Sequence, residues 1–273
     1  MARKRRSRSV ERRLRRGAYL LPSLFTTGNL LLGFASIILG LDGAFRTATV
    51  LVFVAGILDA FDGRLARLTG TESEFGREYD SLADLFTFGA APALLSYLWG
   101  LRELRFWGVS GLGRLGWLIP LFYLVCAAVR LARFNVQTKV VDSRFFVGLP
   151  SPAAAGAICS LLFFAKDLRA QTPIRFFLAA SLILVGSLMV STFRYVSFKQ
   201  INLRQRWSYR MLLIAAALVL TVAIYPPAFF LTVAVIYTAS GPLSWLVGRL
   251  RPRSGEPAAT PLGPAQDPEE EIP

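Results

Sequence analysis

A succession of long apolar segments restricts the fold of this chain more than any other feature of its sequence. Of the 273 residues, 54% are hydrophobic, and the mean hydropathy is +0.49. Eight segments approach the length of about 20 residues that an α-helix needs to cross a bilayer. They are 18–40, 46–66, 80–100, 114–134, 148–166, 174–197, 210–225 and 227–248. We therefore predict an all-α fold, a polytopic membrane helical bundle with about eight transmembrane helices.

Both ends of the chain differ in composition from this apolar region, residues 18–250. Residues 1–17 are rich in arginine and are interpreted as a basic cytoplasmic tail, which can attract anionic lipids. Residues 251–273 are rich in proline, alanine and glutamate, a composition typical of disordered segments. We expect the first apolar segment to be a retained span, because no small-residue cleavage site clearly follows it.

The distribution of positive charge predicts how the chain crosses the membrane. Lys and Arg residues are more frequent in alternate loops, those on the side of the arginine-rich tail, than in the loops between them. Such a bias marks the cytoplasmic side. We therefore predict a multi-pass protein of the cell membrane, with both termini and the aspartate-rich stretch described below facing the cytoplasm.

Charge and residue content exclude several classes of function. The formal net charge is +14, but no nucleic-acid-binding motif accompanies it, so we expect lipid head groups and no nucleic acid as partners. The chain contains no histidine, which excludes histidine-based acid–base catalysis and histidine-ligated zinc. Cys126 and Cys159 lie in apolar segments without metal-ligand spacing and are expected to be buried.

Four aspartates stand out in the stretch DAFDGRLARLTGTESEFGREYDSLAD, residues 59–84. Asp59 and Asp62 are three residues apart, and Asp80 and Asp84 are four apart. On helices, either spacing places both carboxylates on one face. Two such faces turned towards each other provide hard oxygen ligands for Mg²⁺ or Mn²⁺. The alternative is a set of structural ion pairs with neighbouring arginines: Arg64, Arg67 and Arg77.

Residues between the aspartates suit the approach of a phosphate group. Gly63, Ala66 and Gly76 are small and allow a ligand to come close. Arg67 supplies a positive charge for diphosphate oxygens, and Ser73 can donate a hydrogen bond to a phosphate. The stretch therefore predicts a binding site for a phosphate ester beside divalent ions.

The complete spacing D-x2-D-G-x2-A-R-x8-G-x3-D-x3-D, residues 59–84, resembles the signature of the CDP-alcohol phosphatidyltransferase family. The resemblance implies a helical membrane enzyme with six core spans, here followed by two more, which is often a homodimer and whose site opens to the cytoplasm. It also implies two divalent ions, Mg²⁺ or Mn²⁺, with Asp59, Asp62 and Asp80 as ligands. Asp84 would both contact the ions and act as the general base.

The same resemblance assigns residues to the donor substrate, CDP-diacylglycerol. Five of them lie in the aspartate stretch: Gly63, Ala66, Arg67, Ser73 and Gly76. Four lie in the segment LPSLFTTGN of the first span: Pro22, Ser23, Thr26 and Asn29. These last four also fit ordinary interfacial and helix-start chemistry.

Three further stretches bear on the acceptor alcohol. DSLADLFTFGAAPA, RLARFN and FVGLPSPAAA resemble the phosphatidylserine synthase branch of the family, which implies L-serine as the acceptor. Arg130, Arg133 and Asn135, at the cytoplasmic end of the fourth span, would bind the serine head group. They fit positive-inside anchors equally well. A sister transferase that uses glycerol 3-phosphate or an inositol phosphate is the alternative.

Two other classes of protein compete with a transferase. An ion-coupled transporter also uses buried aspartates, but it is expected to have repeated halves with interrupted helices near mid-membrane. The acidic residues here form one group near one face. A non-catalytic membrane scaffold would have no need of a complete metal motif.

Overall fold

The structure of the chain is a computed structural model that describes residues 24–69, 73–104, 116–137, 145–165, 168, 171–196, 221 and 224–250. Of residues 62–69 only the helical backbone is described. Outside the described residues lie Pro22 and Ser23, both tails (1–17 and 251–273) and nearly all of the predicted segment 210–225.

Helices form almost all of the described structure, because an apolar segment in a bilayer must satisfy its own backbone hydrogen bonds. In chain order they are α1 (Leu24–Leu41), α2 (Phe45–Thr69), α3 (Glu74–Asp84), α4 (Ala91–Trp99), α5 (Leu118–Gln137), α6 (Ser151–Phe164), α7 (Thr172–Val190) and α8 (Pro226–Leu250). A π-helical turn, Leu85–Ala90, joins α3 to α4, so that the two form one continuous helix, and a 3-10 turn follows at Leu101–Glu103.

The predicted polytopic helical bundle is confirmed. Among the described residues, five stretches are long and apolar enough to cross a membrane: α1, the continuous helix Glu74–Trp99, α5, α7 and α8. The apolar α6 has only 14 residues, and α2 has 25 residues but carries several charges. Seven of the eight predicted segments thus coincide with helices, and the other, 210–225, lies almost entirely outside the described residues.

A short antiparallel ladder interrupts the helical structure. β1 (Phe145–Val147) pairs with β2 (Arg194–Val196), with Phe146 opposite Tyr195. No sequence pattern predicts this ladder, since strands of three residues are too short to show alternation. The Tyr195 hydroxyl donates to the carbonyl of Thr238 on α8 at 3.1 Å, and burial raises the pKa of Tyr195 to about 12, so it stays a donor. The ladder therefore also anchors α8.

The first helix, α1, is polar on its inner face and apolar on its outer face, as expected in lipid. Its exposed face carries large apolar side chains: Leu24, Leu31, Phe34, Ile38 and Leu41. Its buried face carries polar or small residues: Thr26, Asn29, Gly33, Ser36 and Gly40. A Cβ on Gly33 or Gly40 would collide with Thr87 or Leu95 of the continuous helix. Small residues on α1 therefore let these two helices approach closely.

One arginine holds the loop that leads from β1 into α6. Arg133 on α5 donates to three backbone carbonyls: Val147 at 2.8 Å, Val190 at 3.0 Å and Ser191 at 3.2 Å. Gly148 has a φ of +82°, a conformation that favours glycine. A Cβ there would lie 2.9 Å from the Arg133 guanidinium and would collide with a backbone carbonyl of α7. Arg133 and Gly148 together fix the path of the chain into α6.

We predict that Gly148→Ala lowers the free energy of unfolding by about 1–3 kcal/mol, because it adds both backbone strain and a collision. The measurement is thermal or denaturant unfolding of the purified protein in detergent. Gly156→Ala in α6 is the matched control, since a Cβ there meets no atom within 4 Å and alanine favours a helix over glycine. Equal stability of the two variants would contradict the role given to Gly148.

Candidate active site

Three aspartates from two helices converge near one end of the bundle. Asp59 lies in the second half of α2, and Asp80 and Asp84 lie on α3. One carboxylate oxygen from each lies within 4.8 Å of the other two, and all three side chains are partly buried. Asp62 follows Asp59 on α2, in the part of that helix of which only the backbone is described. The structure thus brings together three of the four predicted ligands.

A serine cap determines where α3 begins and so where its aspartates lie. The Ser73 hydroxyl accepts a hydrogen bond from the Gly76 backbone N–H at 2.9 Å, which satisfies one of the free donors in the first helical turn. A Cβ on Gly76 would lie 3.0 Å from the Ser73 Oγ, so glycine at this position leaves room for the serine cap. It also leaves room for the approach of a ligand. Because Ser73 accepts this bond, its hydroxyl proton can still be donated to a phosphate.

Asn29 of α1 reaches the same cluster from a third helix. Its side chain is fully buried, and its amide Nδ2 donates to Asp84 Oδ1 at 3.4 Å. The Asn29 Oδ1 and the Asp80 Oδ1 are both buried and accept no hydrogen bond from the described residues. A buried acceptor without a donor is costly, by about 1–3 kcal/mol. These two oxygens therefore indicate a group that the protein binds here.

The oxygens at this site fit a divalent cation. At an effective dielectric constant of about 20, two unit charges 4.8 Å apart repel by about 3.5 kcal/mol. Three carboxylates at this spacing therefore favour a compensating positive charge. Carboxylate and amide oxygens are the ligands that Mg²⁺ and Mn²⁺ prefer. Asp59, Asp80 and Asp84 would hold such an ion, and Asn29 brings an amide oxygen into the same region.

The nine residues predicted to contact the donor fall into three groups. Four belong to described elements: Thr26 and Asn29 on α1, and Ser73 and Gly76 at the start of α3. Three lie on the part of α2 of which only the backbone is described: Gly63, Ala66 and Arg67. Two lie outside the described residues: Pro22 and Ser23. Contact with the donor stays a prediction for all nine.

Arg130 is the one of the three predicted acceptor-binding residues that is buried. It lies on α5, with 8% of its surface exposed, and donates to the hydroxyl of Ser151 at the start of α6. Its charge interacts with the Asp84 carboxylate, and its guanidinium lies 6.0 Å from the centre of the Phe134 ring. A buried positive charge thus interacts with one aspartate of the cluster, Asp84.

The other two predicted acceptor-binding residues are engaged with the protein. Arg133 donates to the carbonyls at the β1 loop and the end of α7. Asn135 and Ser81 exchange hydrogen bonds at 3.1 and 3.3 Å, which ties α5 to the helix that carries Asp80 and Asp84. These contacts give both residues a structural role, and a contact with the acceptor stays a prediction.

Sequence reasoning missed three hydroxyl side chains that lie around this site. Ser151 meets Arg130, Thr87 donates to a carbonyl of α1, and Tyr123 donates to a carbonyl of the π-helical turn. All three are fully buried. A polar side chain within an apolar segment is costly unless it has a partner, so such positions are the sequence signal that would have identified them.

Comparison with known proteins agrees with this geometry. A sequence profile of the CDP-alcohol phosphatidyltransferase family matches residues 19–193, which include the four aspartates of residues 59–84. The chain is 36% identical over 230 residues to a CDP-diacylglycerol–serine O-phosphatidyltransferase of Helicobacter pylori, covering 84% of this chain and 92% of the relative. A Bacillus subtilis protein of the same name is 34% identical over 180 residues (66% and 92%). An archaetidylserine synthase of Methanothermobacter thermautotrophicus is 34% identical over 177 residues (64% and 69%).

We predict that Asp80→Asn, which removes a charge and keeps the side-chain shape, raises the dissociation constant for Mn²⁺ at least about tenfold. The electron paramagnetic resonance signal of free Mn²⁺, titrated against purified protein in detergent, measures it. Asp42→Asn is the matched control, because Asp42 is exposed in the turn after α1, about 20 Å along that helix from Asn29. Unchanged Mn²⁺ binding in Asp80→Asn would refute the metal site.

Proposed function

We propose that this chain, which belongs to the CDP-alcohol phosphatidyltransferase family, is a phosphatidylserine synthase of phospholipid biosynthesis. As a member of the family it is a phosphatidyltransferase. In the proposed reaction, CDP-diacylglycerol and L-serine give phosphatidylserine and CMP. The observation that carries the proposal is the convergence of Asp59, Asp80 and Asp84 within the matched segment. Serine as the acceptor is supported by the three relatives, because each of their names includes serine.

Two divalent ions, Mg²⁺ or Mn²⁺, are the proposed cofactors. Asp59, Asp62, Asp80 and Asp84 would hold them, and three of these carboxylates already lie together. When bound, the ions would neutralise charge on the diphosphate and lower the pKa of the acceptor hydroxyl. The protein's part is to keep the carboxylates converged in spite of their mutual repulsion.

Asp84 is the proposed general base. Its carboxylate takes the proton of the serine hydroxyl while the serine oxygen bonds to the phosphorus that carries diacylglycerol. The bond from this phosphorus to the oxygen that bridges to CMP breaks, and CMP leaves with the electron pair. Asn29, by donating to Oδ1, orients the Asp84 carboxylate for this transfer. No residue is needed as a covalent nucleophile.

Arg130 is the proposed partner of the serine carboxylate. A buried guanidinium favours a carboxylate partner, because the two planar groups can form paired, charge-assisted hydrogen bonds. Because the charges of Arg130 and Asp84 interact, a serine held by its carboxylate at Arg130 is proposed to place its hydroxyl near the base. Arg133 and Asn135 are proposed to form the neighbouring wall of this pocket.

The proposed location is the cell membrane, with both termini and the active site on the cytoplasmic side. The excess of Lys and Arg in alternate loops supports this orientation. The exposed apolar side chains of α1 and its neighbours suit contact with acyl chains, so the lipid part of the donor can remain in the bilayer. Anionic lipids around residues 1–17 and a second copy of the chain are the further proposed partners.

A sister transferase that uses glycerol 3-phosphate or an inositol phosphate is the second candidate. The observation that favours it is again the buried Arg130, because a phosphate oxygen pairs with a guanidinium as well as a carboxylate does. The two candidates share the donor, the aspartates and the release of CMP, so they differ only in the acceptor.

We predict that CMP release from CDP-diacylglycerol depends on L-serine when purified protein is assayed with Mg²⁺ or Mn²⁺. Glycerol 3-phosphate and inositol phosphate tested in parallel should give no release. L-alanine, which lacks only the hydroxyl, is the matched control and should also be inactive. Release with glycerol 3-phosphate or inositol phosphate, but not with serine, would replace the proposed acceptor.

We predict that Asp84→Asn lowers kcat for CMP release at least about 100-fold, because an amide cannot take the proton. Its side-chain oxygen can still accept the hydrogen bond from Asn29, so the fold should be retained and the thermal unfolding curve should stay close to that of the wild type. Asp42→Asn should keep full activity. Full activity in Asp84→Asn would show that another group is the base.

A further inference from the structure

The helix that carries two of the converging aspartates contains an irregular turn directly after them. The continuous helix Glu74–Trp99 becomes π-helical over Leu85–Ala90, immediately after Asp84. At its end the backbone N–H of Ala91 donates to the carbonyl of Phe86, a bond across five residues instead of four. Such turns are rare in proteins, and those that occur often lie at functional sites. The position of this turn, next to Asp84, therefore suggests a functional role.

The π-helical turn changes the direction in which the aspartates face. Each residue of an α-helix turns the chain by about 100°, so a turn that holds one additional residue rotates everything before it by that amount. In an uninterrupted α-helix, Asp84 would share a face with Ala91, which comes two helical turns later. Ala91 is buried in the core. The additional residue in the π-helical turn displaces Asp80 and Asp84 by about 100° from the face on which Ala91 packs.

Hydrogen bonds from two buried hydroxyls tie the turn to the helices on either side, α5 and α1. The Tyr123 hydroxyl, on α5, donates to the carbonyl of Phe88 at 2.9 Å. The Thr87 hydroxyl donates to the backbone carbonyl of Asn29, on α1, at 3.1 Å. Tyr123 and Thr87 have no exposed surface. Thr87 also fills the space beside Gly33, where a Cβ would lie 2.5 Å from its Oγ1.

Asn29 links these contacts to the carboxylates. Its backbone carbonyl accepts the hydrogen bond from Thr87 in the π-helical turn, and its side chain donates to Asp84. The same residue therefore connects the turn and the aspartate that precedes it. If the turn relaxed to an α-helix, both bonds of Asn29 and the direction of Asp84 would change together.

We propose that Tyr123 and Thr87 are positioning residues, which hold the π-helical turn so that Asp80 and Asp84 face Asp59 across the metal site. Neither hydroxyl forms a hydrogen bond with these carboxylates. Each acts by fixing the π-helical turn, which sets the direction in which Asp80 and Asp84 point from the helix axis. The inference rests on the metal site of the proposed function, but not on the identity of the acceptor.

The test measures Mn²⁺ binding to purified protein in detergent, without substrate, by the electron paramagnetic resonance signal of free Mn²⁺. Tyr123→Phe removes one hydroxyl and keeps the ring, and Thr87→Val removes the other and keeps the branched shape. We expect each to raise the dissociation constant for Mn²⁺ by about tenfold, the lower end of what groups outside the ligand sphere contribute.

Matched controls separate positioning from a general loss of stability. Tyr195→Phe removes the hydroxyl of another tyrosine without exposed surface, one that also donates to a backbone carbonyl, but on α8. Ser96→Ala removes a buried hydroxyl that donates to the Pro92 carbonyl within α4. Tyr195→Phe should lower the melting temperature about as much as Tyr123→Phe, and Ser96→Ala about as much as Thr87→Val. Both controls should leave Mn²⁺ binding unchanged. The comparison of the two tyrosine variants is sufficient if Thr87→Val does not fold.

Two outcomes would overturn the inference. Mn²⁺ binding of wild-type strength in a folded Tyr123→Phe would show that the hydroxyl does not position the ligands. An equal loss of binding in Tyr123→Phe and Tyr195→Phe would show a general effect of stability. Because the assay contains no substrate, a failure of the serine-dependent assay with a positive result here would reject the acceptor and keep the positioning role.

Discussion

Mutual repulsion among three carboxylates is the constraint on which the rest of the arrangement depends. One carboxylate oxygen each of Asp59, Asp80 and Asp84 lies within 4.8 Å of the other two, although their negative charges favour separation. The protein opposes the repulsion in two ways. Asn29 donates a hydrogen bond to Asp84, and the positive charge of Arg130 on α5 attracts the Asp84 carboxylate. The remaining repulsion favours binding of a cation, so the convergence that is costly in the protein alone becomes useful when the cation binds.

Close packing of α1 is what allows a neutral side chain to join this charged cluster. In a bilayer the outer face of a helix gains nothing from being polar, so small and polar residues collect on the inner face. Gly33 and Gly40 leave no space between α1 and the continuous helix, and Asn29 lies on the same buried face. The position of a single amide at the site is therefore determined by glycines further along the helix.

Much of the fold and part of the site could be predicted from local sequence. Apolar length predicts helices, and the spacings Asp59–Asp62 and Asp80–Asp84 predict that each pair shares one helix face, because both signals lie within single segments. The π-helical turn could not be predicted, since Tyr123 binds it from 35 positions away along the chain. The structural bonds of Arg133 were missed for the same reason: its carbonyl partners at Val190 and Ser191 belong to a distant helix end.

The contact between Arg133 and Gly148 has a consequence for how related chains can vary. The guanidinium lies 2.9 Å from the point where any Cβ at position 148 would stand, and it is bonded to the carbonyl just before it. A larger residue at 148 would displace the arginine, and a shorter residue at 133 would leave three carbonyls without their donor. Because a Cβ at position 148 would also collide with the Met189 carbonyl, a change at position 133 alone does not free position 148. Gly148 is therefore expected to be kept wherever the loop follows this path, and Arg133 can change only where the three carbonyls find another donor.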